Sequence, residues 1–312
     1  MQPWQAQLDL RFESRAGATV LAHNQHTGPL RVQKALYPES SNSKAICHAV
    51  VVHPPAGVAA GDQLNINIAV DASAHAVITT PGATQWYKSQ PHSPARLTTQ
   101  LTVAAGGKLD FLPQENILFD RSHAQLHTVI KLDHGASAIG WDVCVLGRLA
   151  AGETWDDASL QQRFELHLGG ERLWLEHSGV NSHSNASSNN APGLTNTGLR
   201  HNLLALTGHS VMGTLWVVGA AGSQLVRGES VIGLSTEAVQ TFAEHLPYID
   251  SLKAGATYLQ PPQAQAATAG VMVLRVLGDS AEAVRACMVD AWLHWRPIVH
   301  GVPAVPLRIW ST

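Results

Sequence analysis

Six carboxylates stand where a chain this apolar does not need them. Asp62, Asp110, Glu115, Asp120, Asp142 and Glu176 each sit among apolar or small neighbours. An ionised carboxylate taken from water is costly unless it is paired or wet. Either each pairs with an arginine or faces solvent, or several of them line a polar interior passage. In the second case, carboxylates, backbone oxygens and some of the 17 histidines would make weak, transient contacts with a metal ion. Oxygen and imidazole donors suit divalent ions such as nickel. The signatures of tighter chemistry are missing from the chain: there is no HExxH and no GxSxG elbow. HxxxH occurs only at His123–His127, in strand-like sequence, where residues four apart share a face but lie too far apart to share an ion directly.

The stretch HPPAGVAAGDQL, His53 to Leu64, raises the question of phosphate binding. A Walker loop needs four residues between its glycines and then Lys and Ser or Thr. Here three residues separate Gly57 from Gly61, and Asp62 follows, whose charge would repel phosphate. GxGxxG is absent too, and a strand pattern follows instead of a helix. The stretch reads as a rigid turn between strands, with Asp62 at its exit.

Strands must position these groups. Leu64–Val70 alternates without a break, and His75–Thr80, Arg96–Val103, Lys108–Phe111, Leu126–Leu132, Ala138–Val145 and Arg163–Leu168 look similar. A weak repeat links them. VDASAH from Val70, VAAGGK from Val103 and LDHGAS from Leu132 each end one strand in a small-residue turn and start another, at spacings of 33 and 29 residues. Stacked β-layers of a solenoid or wrapped double sheet would produce this, as would ordinary hairpins in a sandwich. Residues 181–193 form a polar, Ser/Asn-rich loop with almost nothing to bury. Two helices are expected near the C-terminus. Ser235 caps one running through Val239, Phe242 and Leu246 to Pro247. The other starts at Asp279, carries an apolar stripe of Val284, Cys287, Met288, Ala291, Trp292 and Trp295, and ends at Pro297. That stripe fits core packing or a partner groove.

The fold class expected is therefore mainly β, with wrapped or solenoid-like sheets and two C-terminal helices, in a single domain over residues 1–312. Charged residues make up only 14% of the chain and the net charge is −3, with no basic run, so the electrostatic footprint of nucleic-acid binding is absent. The uncharged span from Arg200 to Arg227 is broken by polar residues and glycines and reads as buried strands, not a membrane helix. The start, MQPWQAQLDL, carries no secretory signal, and three cysteines without a CxxC pair argue against a disulfide scaffold. Both point to a cytoplasmic protein.

In combination, several segments resemble the urease accessory protein family UreD, also called UreH. They are GPLRVQKALYPES (Gly28–Ser40), CHAVVVHPPAGVAAGDQL (Cys47–Leu64), TTPGATQWYKS (Thr79–Ser89), LPQENILFDRS (Leu112–Ser122), IGWDVCVLGRLAAGE (Ile139–Glu153), LWLEH (Leu173–His177), GDSAEAVRACMVDAWLHWRP and PAVPLRIW (Pro303–Trp310). They keep the family order. The chain departs at Pro-Pro-Ala-Gly-Val and Ala-Ala-Gly-Asp, where the family has PPGGI and two glycines before Asp, and at Gln85, where it often has Lys or Arg. The Ser/Asn-rich loop looks like an insertion.

The resemblance implies a non-enzymatic urease maturation chaperone with a wrapped β-fold, insoluble without its partners. It would act with UreF and the GTPase UreG to insert nickel into apo-urease, with UreE as indirect nickel donor and no tightly bound cofactor. Nickel released on GTP hydrolysis would cross a polar passage in this chain. Family motifs and odd polarity together nominate Asp62, Glu115, Asp120, Asp142 and Glu176, with His53 and Thr84. The helix region Ala283–Trp295, with Val284, Cys287, Met288, Trp292 and Trp295, and the tail residues Arg308 and Trp310 are expected to face UreF. Two other classes compete: a hydrolase using Glu115 and Asp120, and a carbohydrate-binding β-solenoid using exposed tryptophans. Turnover by the isolated chain would favour the first, and aromatics exposed along one face the second.

Overall fold

The computed structural model describes residues 3–41, 44–55, 57–155, 157–181, 206–219, 223–226, 229–260 and 270–311. The expected loop, apart from Asn181 at a strand end, lies outside the described residues.

The chain is mainly β and winds as stacked coils. In one sheet the strands Gln63–Val70, Ala95–Val103, His123–Leu132 and Ser159–Leu168 pair in parallel, each one coil above the last. In the facing sheet Cys47–Val52, His75–Thr79, Lys108–Leu112 and Ser137–Leu146 do the same. Every coil contributes one strand to each sheet, so the 33- and 29-residue repeat marks solenoid corners. The corners stack directly: Ala104 N donates to the Val70 carbonyl, Asp133 N to Val103, and Gly169 N to Leu132. Parallel strands buried on both sides explain the near-continuous apolar runs, such as Cys47–Val52.

Further strands complete both sheets. In the first, Gln5–Arg15 runs parallel beside Gln63–Val70 and takes Ala18–Thr27 antiparallel on its other side, while Glu171–Asn181 pairs antiparallel with Ser159–Leu168. Val211–Val218, Val271–Gly278 and Leu252–Leu259 extend the second, each antiparallel to its neighbour. One core lies between the sheets and includes Phe12, Trp86, Leu101 and Trp155. A second lies between the second sheet and two helices, α1 (Thr236–Ala243) and α2 (Ala281–His300).

Both helices depart from the sequence expectation at their ends. Ser235 caps α1, its hydroxyl accepting from Ala238 N at 3.1 Å, but the helix stops at Ala243, short of Leu246. Helix α2 is capped by Ser280, one residue past Asp279, which instead meets His209 at 2.7 Å. It also runs through Pro297 to His300, stopping at Gly301 in the left-handed conformation (φ 65°). Proline normally disrupts a helix by removing one hydrogen bond and crowding the preceding turn. Here tertiary bonds hold the turn in place. Arg296 pairs with Asp110 and Glu39, and the His300 Nδ1 lies 2.7 Å from the Ser137 hydroxyl.

The apolar stripe resolves to core. Val284, Met288, Trp292 and Trp295 are fully buried against the second sheet, and Cys287 is nearly so. For Val284, Met288, Trp292 and Trp295 the expected role as a partner-facing surface is therefore corrected, because the core against the second sheet already covers these side chains; Cys287 instead reaches the groove between the two helices. Of the tail residues, Arg308 is exposed, whereas Trp310 packs on Trp141 and Trp292 at ring distances of 5.5 and 5.8 Å.

Candidate functional site

A cavity of about 300 Å³ opens between the two sheets. Apolar strand residues such as Leu64, Ile66, Leu97 and Phe164 line one side. The TTPGAT turn, with Thr79, Thr80, Thr84 and Gln85, frames another. Trp216 and Asp142 reach it from neighbouring strands of the second sheet. Trp216 can lie there because the next strand has Gly140: a Cβ at that position would sit 2.2 Å from its indole.

His53 lines this cavity with both ring nitrogens buried and without a hydrogen-bond partner in the protein. Burial lowers its pKa, against the opposing pull of Asp62, so the imidazole stays neutral with a lone pair to offer. Asp142 is the cavity's acid. Its Oδ1 accepts from Asn116 Nδ2 at 2.8 Å and its Oδ2 from Gln162 Nε2 at 2.6 Å, while the Cys144 sulfur lies 3.7 Å from Oδ2. Trp86 Nε1 in turn donates to Asn116 Oδ1 at 3.0 Å and fixes that amide. Burial pushes the Asp142 carboxyl up, and these neutral donors and the more distant Arg275 pull it back. A carboxylate held by amides and not by a firm counterion keeps an affinity for cations.

A second, smaller cavity of about 30 Å³ shares Asp142, Phe164 and Trp216 with the first. That is room for about one water. Its far side is closed by Glu176, from the opposite sheet, and Arg275. Of the residues nominated from sequence, His53, Thr84 and Asp142 thus share the large cavity, and Asp142 and Glu176 the small one.

The other three lie elsewhere. Asp62 organises the turn after Gly57: its oxygens accept from Trp4 N at 2.7 Å and Ala59 N at 2.8 Å, and Gly61 takes φ 77° beside it. The rigid-turn reading describes this stretch, and Asp62 lines neither cavity. Glu115 pairs with Arg285 of α2 at 3.5 Å. Asp120 sits 3.3 Å from Arg121 in a surface turn. Both have the arginine partner that is the alternative to a passage role, and neither lines either cavity. Sequence reasoning missed Asn116 and Gln162, whose neutral amides carry no signal at the level of charge.

Asp110, the sixth odd carboxylate, anchors a different cluster. Together with His75 and His300 it forms a buried group close enough in principle to hold a metal ion. Its oxygens are already taken, by Trp292 Nε1 at 2.8 Å, His75 Nε2 at 2.9 Å and Arg296 Nε at 3.1 Å. The Arg296 guanidinium repels a divalent cation there. The cluster is suited to stapling α2 to the sheet, not to holding an ion.

Outside the cavities, a groove of about 890 Å³ runs between α1 and α2, floored by Phe242, Leu246, Ala286 and Cys287 and edged by Asp290 and His294. No helix among the described residues is long and apolar enough to cross a membrane.

Comparison with known proteins gives a consistent result. A family model described as "UreD urease accessory protein" matches residues 5–311. Among curated relatives, the urease accessory protein UreD of Cupriavidus pinatubonensis is 46% identical over 309 residues, covering 99% of this chain and 95% of that one. UreD of Ralstonia nicotianae is 44% identical, covering 99% and 94%, and UreD of Bordetella pertussis 37%, covering 100% and 99%. The stacked-coil fold, the ordered motifs and this full-length similarity agree, and the chain belongs to the UreD family of urease accessory proteins.

Proposed function

We propose that this chain is a non-catalytic urease maturation chaperone. In this reading it bridges UreF and the GTPase UreG to apo-urease and conducts nickel, released on GTP hydrolysis, through the cavity between its sheets. UreE supplies the ion upstream. The observation that carries the reading is the placement of His53 and Asp142 on one inter-sheet cavity, the first with unpartnered nitrogens, the second held by neutral amides.

The chemistry favours transit over storage. Among the described residues the one group of three or more His, Cys, Asp or Glu side chains close enough to share an ion is His75, Asp110 and His300, so His53 and Asp142 belong to no such set in the cavity. A complete ligand set would trap nickel; isolated carboxylate and imidazole contacts let it go. The apolar remainder of the wall keeps competing water ligands few. The exposed Arg308 and the α1–α2 groove are the surfaces left for partners once the stripe residues are assigned to the core.

The test is the nickel content of urease purified from cells making the partner proteins with the wild-type chain, with none, or with Asp142→Asn. Wild type should load urease. Omission should drop nickel to near zero, and Asp142→Asn should lower it several-fold while the chain still co-purifies with its partners. Full loading by Asp142→Asn would sink the passage.

A further inference from the structure

The narrow end of the inter-sheet space is occupied by a cation that belongs to the protein. Asp142, Thr214 and Arg275 are register partners on three adjacent strands, so their side chains form one row facing the opposite sheet. Glu176 comes from that opposite sheet. The Arg275 guanidinium reaches across to the Glu176 carboxylate and the Thr214 hydroxyl and lies 5.6 Å from the Trp174 ring centroid. Together these groups close the 30 Å³ cavity on whose inner wall Asp142 stands.

We propose that Arg275 is a placeholder cation and latch, which shuts the passage at Glu176 and gives way to a divalent metal ion. The inference rests on the cation-passage reading above. The Arg275 side chain is 43% exposed and that of Glu176 29%, so the pair lies at the surface end and the guanidinium can swing into water without crossing the core. An exposed ion pair of this kind is weakly held. An ion arriving at the small cavity meets two carboxylates, Asp142 and Glu176, with the Thr214 hydroxyl beside them. Twice the charge on a compact ion outcompetes a guanidinium for that pair, whereas a monovalent ion brings no more charge than Arg275 already supplies. The exchange makes and breaks no covalent bond, and Arg275 leaves fully protonated. It selects divalent over monovalent cations and keeps the passage shut when it is empty.

The experiment is equilibrium dialysis of the full chain against Ni²⁺ at neutral pH and physiological salt, with folding checked by tryptophan fluorescence. Arg275→Met, which keeps the alkyl stem over Trp174, should bind one Ni²⁺ about tenfold more tightly than wild type. Adding Asp142→Asn to that variant should abolish the gain, which separates this site from surface histidines. If Arg275→Met does not fold, Arg275→Lys decides: it keeps the charge but loses the two-pronged contact, and a two- to threefold gain is expected. Unchanged affinity in the folded variant, or a gain that survives Asp142→Asn, overturns the latch. Its failure is distinct from failure of the passage, which is read by urease nickel content with Asp142→Asn alone.

Discussion

Acidification should loosen this protein through two buried histidines, in a window set apart from its carboxylates. His300 ends α2, fully buried, with Asp110, His75, Arg296 and Lys108 around it. Burial drives its pKa down to about 3, overriding the attraction of Asp110, and the nearby positive charges lower it further. The folded protein therefore holds His300 neutral, while the unfolded chain takes up a proton below about pH 6.5. A histidine with a lowered folded pKa contributes fully above the unfolded value, and that contribution is lost as pH falls. Between pH 7.5 and 5 the linkage relation gives a loss of about 2 kcal/mol from His300 alone. The figure barely depends on the folded value as long as that value lies below about 4. His75 is shifted the same way, also chiefly by burial, and adds to the loss. Glu39, held down to about 2 by His48 and Arg296 against the cost of burial, is shifted in the same direction, but for a carboxyl this favours the charged form. Its contribution persists above its unfolded pKa and is lost only as pH falls from about 4.5 towards 2. Urea unfolding followed by tryptophan fluorescence at pH 7.5, 6.5, 5.5 and 5 measures the effect. With an m value of about 2–3 kcal/mol/M, the midpoint should fall by about 0.7–1 M on account of His300. His300→Gln should lose about 1–2 kcal/mol at pH 7.5 through its weakened bond to Ser137. It should then lose about 2 kcal/mol less than wild type on going to pH 5. A flat wild-type profile over this range, or an unchanged slope in His300→Gln, would refute the account.

Two structural predictions follow from the same core. Trp292→Ala empties a fully buried site and strips Asp110 of its indole donor, so it should cost about 3–5 kcal/mol, read as a lower urea midpoint. Gly140→Ala drives a methyl group into the Trp216 ring and should cost about 1–3 kcal/mol. Because Trp216 walls both cavities, Gly140→Ala should also reduce nickel loading of urease, and loading equal to wild type would show that this wall does not shape the route.

Much of the architecture was legible in the chain itself. Alternation marked the strands, and the small-residue corners after Val70, Val103 and Leu132 marked the coil length, because a solenoid repeats its turns at a nearly fixed spacing. Polar residues in apolar surroundings announced that Asp110, Asp142 and Glu176 had tertiary roles. The motif order pointed to the family. What sequence could not say was whether the repeats stack in parallel or fold back as hairpins, since both give the same local alternation. Nor could it say which odd carboxylates meet. Asp62, Glu115 and Asp120 look like Asp142 in one dimension, yet backbone amides, Arg285 and Arg121 claim them in three. Pro297 shows the same limit, because its local preference to end a helix yields to the Arg296 and His300 contacts one residue before and three after it. The residue types determined that buried charge must be paired or kept wet. Only the tertiary structure decided which partner each charge received, because those partners lie up to 257 residues away along the chain, as for Glu39 and Arg296.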